Sequence, residues 1–117
     1  MRRKPGVLIP LETAVLKAGV ELAAAGTTEF HGFLLAKTLR DAAGAKKLTA
    51  HGTLYRSLAR LEEAGLLESR WEDPMIAAEA GRPLRRLYTV TAAGEAALAR
   101  ATEAAVSLVD GRRRAEA

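Results

Sequence analysis

Arginine is the residue type in this chain whose spacing suggests chemistry. The run LTAHGTLYRSLARLEEAGLLE at residues 48–68 carries Arg56 and Arg60 one helical turn apart. A guanidinium presents paired N–H donors that match O6 and N7 of a guanine, or two oxygens of a phosphate. At about 100° per residue, Leu54, Leu58 and Leu61 share one side of a predicted helix. Thr49, Gly52, Thr53, Arg56 and Arg60 fall on the other. Gly52 lets a phosphate or base edge come close to the first turn, and Thr53 can donate a hydrogen bond. Tyr55 lies at the flank, with its hydroxyl within reach of a phosphate, and His51 stands in the first turn, placed to touch the same ligand. An ordinary amphipathic helix with a solvated face has the same pattern, so this helix alone decides little.

A second basic cluster, Arg82, Arg85 and Arg86, follows in a predicted hairpin. A phosphate or minor-groove contact is the functional reading, and a solubilising charged loop is the plain one. Glu72, Asp73 and Glu79 bring negative charge into the same loop and count against contact. Reading helix and basic hairpin in this order together predict a winged helix-turn-helix that holds double-stranded DNA.

The other reactive side chains suggest less. His31 and His51 are the only histidines, and neither has a carboxylate partner at metal-ligand spacing, so no metal is expected. His31 reads as a helix-start or core residue. Trp71 reads as a strand residue covering the core, with stacking on a flat effector as the alternative. Glu62 and Glu63 are adjacent and diverge around a helix, so they do not form a catalytic pair. No nucleophile, glycine-rich loop or carboxylate set suggests an enzyme, and no cofactor is expected.

The elements that must position these residues follow from periodicity. Pro10 opens a first helix over about 10–25, with Leu11, Val15, Ala18 and Leu22 recurring at helical spacing and Gly26 as the stop. Thr27 and Thr28 offer caps for a second helix whose apolar side is Phe30, Phe33, Leu34 and Leu39, ending at Gly44. Thr49 caps the third helix and Gly65 closes it. From Leu66 the period becomes two: Leu67, Ser69 and Trp71 alternate with Glu68, Arg70 and Glu72 as a strand. A long, mobile connection holding Pro74, Gly81 and Pro83 leads to a return strand, Arg86 to Val90. Thr91 caps an Ala-rich last helix over about 92–109.

Its stripe of Leu98, Ala101, Ala105 and Leu108 must be covered. Either the chain's own first helix covers it or the same helix of a second copy does, and the second is favoured because two-fold dimers match palindromic operators. The expected interface is Leu11, Val15, Leu98, Ala101, Ala105 and Leu108.

Composition bounds these readings. The chain has 117 residues, enough for one core but not for two. With 49% hydrophobic but only 4% aromatic residues, that core must be Leu, Val and Ala, which favours helices. The net charge of +4 is modest, so the placement of the basic clusters says more than their total. There is no cysteine, which excludes disulfides and thiolate metal sites. No signal peptide or membrane span is evident, so a cytoplasmic location is expected. The expected organisation is a basic arm at 1–9, a winged-helix domain at 10–91, a dimerisation helix at 92–109 and a basic tail at 110–117.

The segments HGFLLAKTL at 31–39, GTLYRSLARLEEAGLLESRWED at 52–73 and GRPLRRLYTVTAAGEAAL at 81–98 resemble PadR-family transcriptional regulators. The resemblance covers nearly all of the chain after the arm and points to the branch with a single C-terminal helix. It implies a winged-helix DNA-binding homodimer, usually a repressor, formed through the first and last helices. It implies a reading helix at 49–64, a wing at 66–90 and Tyr55 beside the DNA backbone. It also implies release from DNA by a small aromatic effector in some members. Two departures stand out. Ala50-His51-Gly52 replaces the more usual Ser-Pro-Gly, and Arg56 replaces the proline that often follows the tyrosine. Two rivals remain: a winged helix that binds only protein, and a small-molecule sensor built around Trp71.

Overall fold

The computed structural model describes residues 7–42 and 51–116, with side chains described for 7–42 and 52–104. Within these, the order is α1 (Pro10–Ala24), α2 (Gly32–Ala42), α3 (His51–Glu63), β1 (Leu67–Trp71), α4 (Pro74–Ala80), β2 (Arg86–Val90) and α5 (Ala92–Glu116). Most of the expected elements are present, and several differ in instructive ways. The caps proposed at Gly44 and Thr49 lie outside the described residues.

α1 starts at Pro10, and the backbone N–H of Ile9 donates to Glu12 Oε1 at 3.1 Å, satisfying one of the donors a helix start leaves open. Leu8 packs against the core, so the last residues before Pro10 are not a loose arm. Gly26 and Gly65 each end a helix with positive φ. At Gly65, φ is 79°, its N–H reaches Glu62 O at 3.0 Å, and Leu66 N reaches Leu61 O at 2.9 Å. This double closure needs the left-handed conformation that glycine adopts without a Cβ clash.

α2 begins later than the sequence suggests. Thr27 and Thr28 do not cap it. His31 does, its Nδ1 accepting from Leu34 N at 3.2 Å. Phe30 is not helical. It forms a one-residue bridge to Tyr88 on the open side of β2, with N to O distances of 3.0 and 2.8 Å. The expectation failed because an isolated bridge leaves no alternating pattern to read. Phe33, expected inside, is 63% exposed.

β1 and β2 pair antiparallel in the register Leu67↔Val90, Ser69↔Tyr88 and Trp71↔Arg86. Trp71 was expected to cover the core. It is 59% exposed, at the end of a strand face whose burial falls from Leu67 through Ser69. The connection beyond it is not an unstructured loop. Asp73 accepts from Met75 N at 2.9 Å, Pro74 occupies the first turn, and Gly81 (φ 65°) closes α4 with Arg82 N donating to Ala77 O at 3.1 Å.

The core is Val15, Leu16, Phe30, Leu35, Leu54, Leu58, Leu61 and Leu67, with Tyr88 stacked on Phe30 at 6.1 Å. Each buried leucine contributes roughly 1.5–3 kcal/mol. The three in α3 thereby fix which face of that helix points outward.

α5 is capped by Thr91, whose Oγ1 accepts from Gly94 N at 3.0 Å and donates to Gly65 O at 2.7 Å. It runs to Glu116, beyond the expected end near 109; 25 residues span about 37 Å. Ala97 and Leu98 pack on the chain's own core, so the start of the stripe is covered from within.

Candidate nucleic-acid interface

The leucines of α3 turn its opposite side to solvent. Leu54, Ser57, Leu58 and Leu61 are buried, whereas Gly52, Thr53, Arg56, Ala59 and Arg60 are exposed. A Cβ added at Gly52 would meet nothing within 4 Å, so the first turn has open space in front of it. Arg56 Nη2 donates to Thr53 Oγ1 at 3.3 Å, which turns the guanidinium toward the N-terminal turn of the helix. His51 is the first residue of α3. Thr49 lies outside the described residues.

Arg60 is exposed but not aimed straight outward. Its Nη1 stands 4.0 Å from Oε2 of Glu12, a buried carboxylate of α1. Tyr55 is 42% exposed and its ring lies over Gly32 at the start of α2, where an added Cβ would come within 2.8 Å of Cζ. Its hydroxyl is thus held at the first turn of α2.

The three wing arginines are not equivalent. Arg82 gives both terminal nitrogens to Glu72, at 2.6 and 2.8 Å. Arg86 donates from Nε to Ser69 Oγ at 3.0 Å, stands 3.7 Å from Glu62 and lies 5.0 Å over the Trp71 ring. Ser69 in turn donates to Glu62. Arg85 pairs with Glu72 through its backbone, and its side-chain charge acts on His31 at the start of α2. Burial, then the charges of Arg85 and Arg82, hold His31 below the ordinary histidine value. The Arg82 guanidinium beside Glu72 holds that carboxyl down at about 2.

Sequence reasoning missed Glu62 and Glu72. Glu62 fastens the end of α3 to the hairpin, and Glu72 fastens α4 to the strand. In the sequence Glu62 stands out only as half of a non-catalytic carboxylate pair, and Glu72 only as a strand position that opposes DNA contact. The Asp73-Pro74 start and Gly81 stop could have revealed α4, since they frame PMIAAEA, a run of helix formers.

Among the expected interface residues, Val15 requires correction. It is fully buried in the chain's own core and has no surface to offer a partner. Leu11 and Leu98 are half-buried against that core, and Ala101 is half-exposed on α5. The side chains of Ala105 and Leu108 lie outside those described.

Three helices with a bridged hairpin, the third helix anchored by leucines and showing a polar face, define a winged helix-turn-helix protein. Residues 22–100 match the family described as Transcriptional regulator PadR-like, and the chain belongs to that family. It is a DNA-binding transcriptional regulator, and the family is not one of enzymes. Solved structures agree in fold. A transcriptional regulator from Clostridium thermocellum superposes with TM-score 0.69 at 18% identity, over 92% of this chain and 97% of that one. A PadR-family regulator from Eggerthella lenta gives 0.65 at 26%, over 87% and 80%. RosR of H. salinarum gives 0.64 at 23%, over 93% and 87%. No curated protein sequence matches the chain. No described helix is long and apolar enough to cross a membrane.

Proposed function

We propose that this chain is a cytoplasmic repressor that binds a palindromic operator as a homodimer. α3 enters the major groove by its N-terminal turn, and Arg56 reads one base, with guanine as the expected partner. Thr53 holds the Arg56 guanidinium in place. Arg85, Tyr55 and the first turn of α2 take the adjacent backbone, while Arg82 and Arg86 shape the wing through their carboxylate partners. The outer half of α5, together with Leu11, supplies the surface for the second copy.

The observation that carries this reading is the outward set of Gly52, Thr53 and Arg56 on a helix whose other side is locked by three buried leucines. Release by a small aromatic effector belongs to the proposal through the family resemblance. Trp71, being exposed, is the fluorophore that reports it.

Selection of bound fragments from genomic DNA, followed by footprinting, tests the reading. A two-fold symmetric footprint with half-sites one helical turn apart, bound by two chains, is the expected result. An asymmetric footprint bound by one chain contradicts it.

A further inference from the structure

The far end of the wing has a composition that DNA contact does not explain. Four large apolar side chains stand exposed between Trp71 and Arg86: Trp71 at 59%, Met75 at 65%, Ile76 at 53% and Leu84 at 45%. α4 turns only Ala77 inward, and Met75 and Glu79, one turn apart, form the ridge directly opposite it. The charges of this segment cancel, with Glu72, Asp73 and Glu79 against Arg82, Arg85 and Arg86. Asp73 and Glu79 are both exposed, and on a duplex they would stand near phosphates. A neutral surface with an apolar centre favours association with protein over polyanion.

We propose that the wing tip, α4 with Trp71 and Leu84, is a docking surface for the wing tip of a second copy, bringing neighbouring dimers together on one DNA. Both charge signs border the apolar centre: Asp73 capping α4, Glu79 on it, and Arg86 held over Trp71. A two-fold contact that sets Asp73 or Glu79 of one copy against Arg86 of the other repeats the same opposite-charge pairing twice. The area limits the strength of the contact. Four partly exposed side chains amount to a few hundred Å² on each copy, short of the roughly 800 Å² per partner that a standard stable interface buries. The contact is therefore weak between free molecules and effective where DNA holds two dimers side by side at high local concentration. This inference rests on the reading of the chain as a DNA-bound dimer.

The test compares wild type with Ile76→Glu and Met75→Glu on a selected duplex carrying one site, and on the same site repeated in tandem. Wild type should fill the tandem duplex cooperatively, with the second site bound roughly 5–10-fold more tightly than the single one. Both variants should keep single-site affinity and lose that gain. Equal loss on the single site identifies the tip as a DNA contact and overturns the proposal, as does wild-type binding without cooperativity. A companion sedimentation series without DNA separates this idea from the reading beneath it. Weak concentration-dependent growth in wild type, absent in both variants, is expected whatever the operator geometry. Identical sedimentation of all three proteins up to high concentration counts against tip pairing even if operator binding stands.

Discussion

Glu72 and Arg82 form a two-pronged ion pair, with Nη1 to Oε1 at 2.6 Å and Nη2 to Oε2 at 2.8 Å, that ties the end of α4 back to the strand where the wing begins. Arg85 N adds a third contact to the same carboxylate at 3.4 Å. An arginine that the sequence offers as a phosphate contact is thereby committed to shaping the wing.

That pair gives the wing an acid sensitivity. Glu72 sits at about 2 in the fold, against an ordinary value of 4.5, chiefly through its hydrogen bonds with Arg82. A lowered carboxylate stabilises the folded state above 4.5, and this contribution fades as pH falls from 4.5 toward 2. Glu72→Gln should therefore melt below wild type at neutral pH, with the gap closing across that window. Thermal melts at a series of pH values check this; a gap independent of pH contradicts it.

His31 acts in the same direction in a different window. Its Nδ1 caps α2 by accepting from Leu34 N, so the ring must be neutral at that nitrogen. The unfolded ring takes a proton near 6.5 while the folded ring resists, so stability should fall as pH drops below 6.5. His31→Asn keeps a capping oxygen and should lose this dependence; His31→Ala should cost about 0.5–2 kcal/mol. Chemical denaturation at pH 5 and pH 7.5 distinguishes the two variants.

Arg56 and Arg85 should differ in kind. Arg56→Ala is expected to cost about 1–3 kcal/mol on the preferred duplex and to relax preference at one base position. Arg85→Ala should weaken all sequences alike and reduce the salt slope by about one unit. Binding isotherms at several salt concentrations, on matched and single-mismatch duplexes, separate a base reader from a backbone contact. Uniform weakening by Arg56→Ala removes it from base reading.

Gly19 and Gly94 both lie against Val90. An added Cβ at Gly19 would come within 2.6 Å of Val90 Cγ2, and one at Gly94 within 2.9 Å of Cγ1. Gly19→Ala should cost about 1–3 kcal/mol by overpacking the contact between α1 and β2. Val90→Ala removes the nearest blocking methyl and leaves Phe30 Cε1 at 2.9 Å, so the double variant should lose less than the sum of the singles without full recovery. Strict additivity in urea melts sinks this account.

Most helices, the hairpin and the outward Arg56 of α3 were legible because each follows from a local period or stop. Leu54, Leu58 and Leu61 repeat at helical spacing, Gly65 ends the helix, and Arg56 must then face away. The bridge at Phe30 was not legible, since pairing with Tyr88 depends on a residue 58 positions away. Nor was the exposure of Trp71, because alternation tells which strand residues share a face but not where the layer beneath the strand ends.

The amino-acid order by itself determined that one small leucine-built core carries an arginine-bearing helix followed by an arginine-bearing hairpin, because periodicity and glycine stops act over a few residues. Tertiary structure alone decided which cations are available. Glu72 claims Arg82, Glu62 draws Arg86 over Trp71, and buried Glu12 pulls Arg60 toward α1. Coulombic pairing depends on distance in space, and the three ion pairs join residues 10, 24 and 48 positions apart along the chain, which no local pattern announces. The same holds for Val15, whose helical spacing marks it as apolar but whose complete burial comes from the helices and hairpin packed around it.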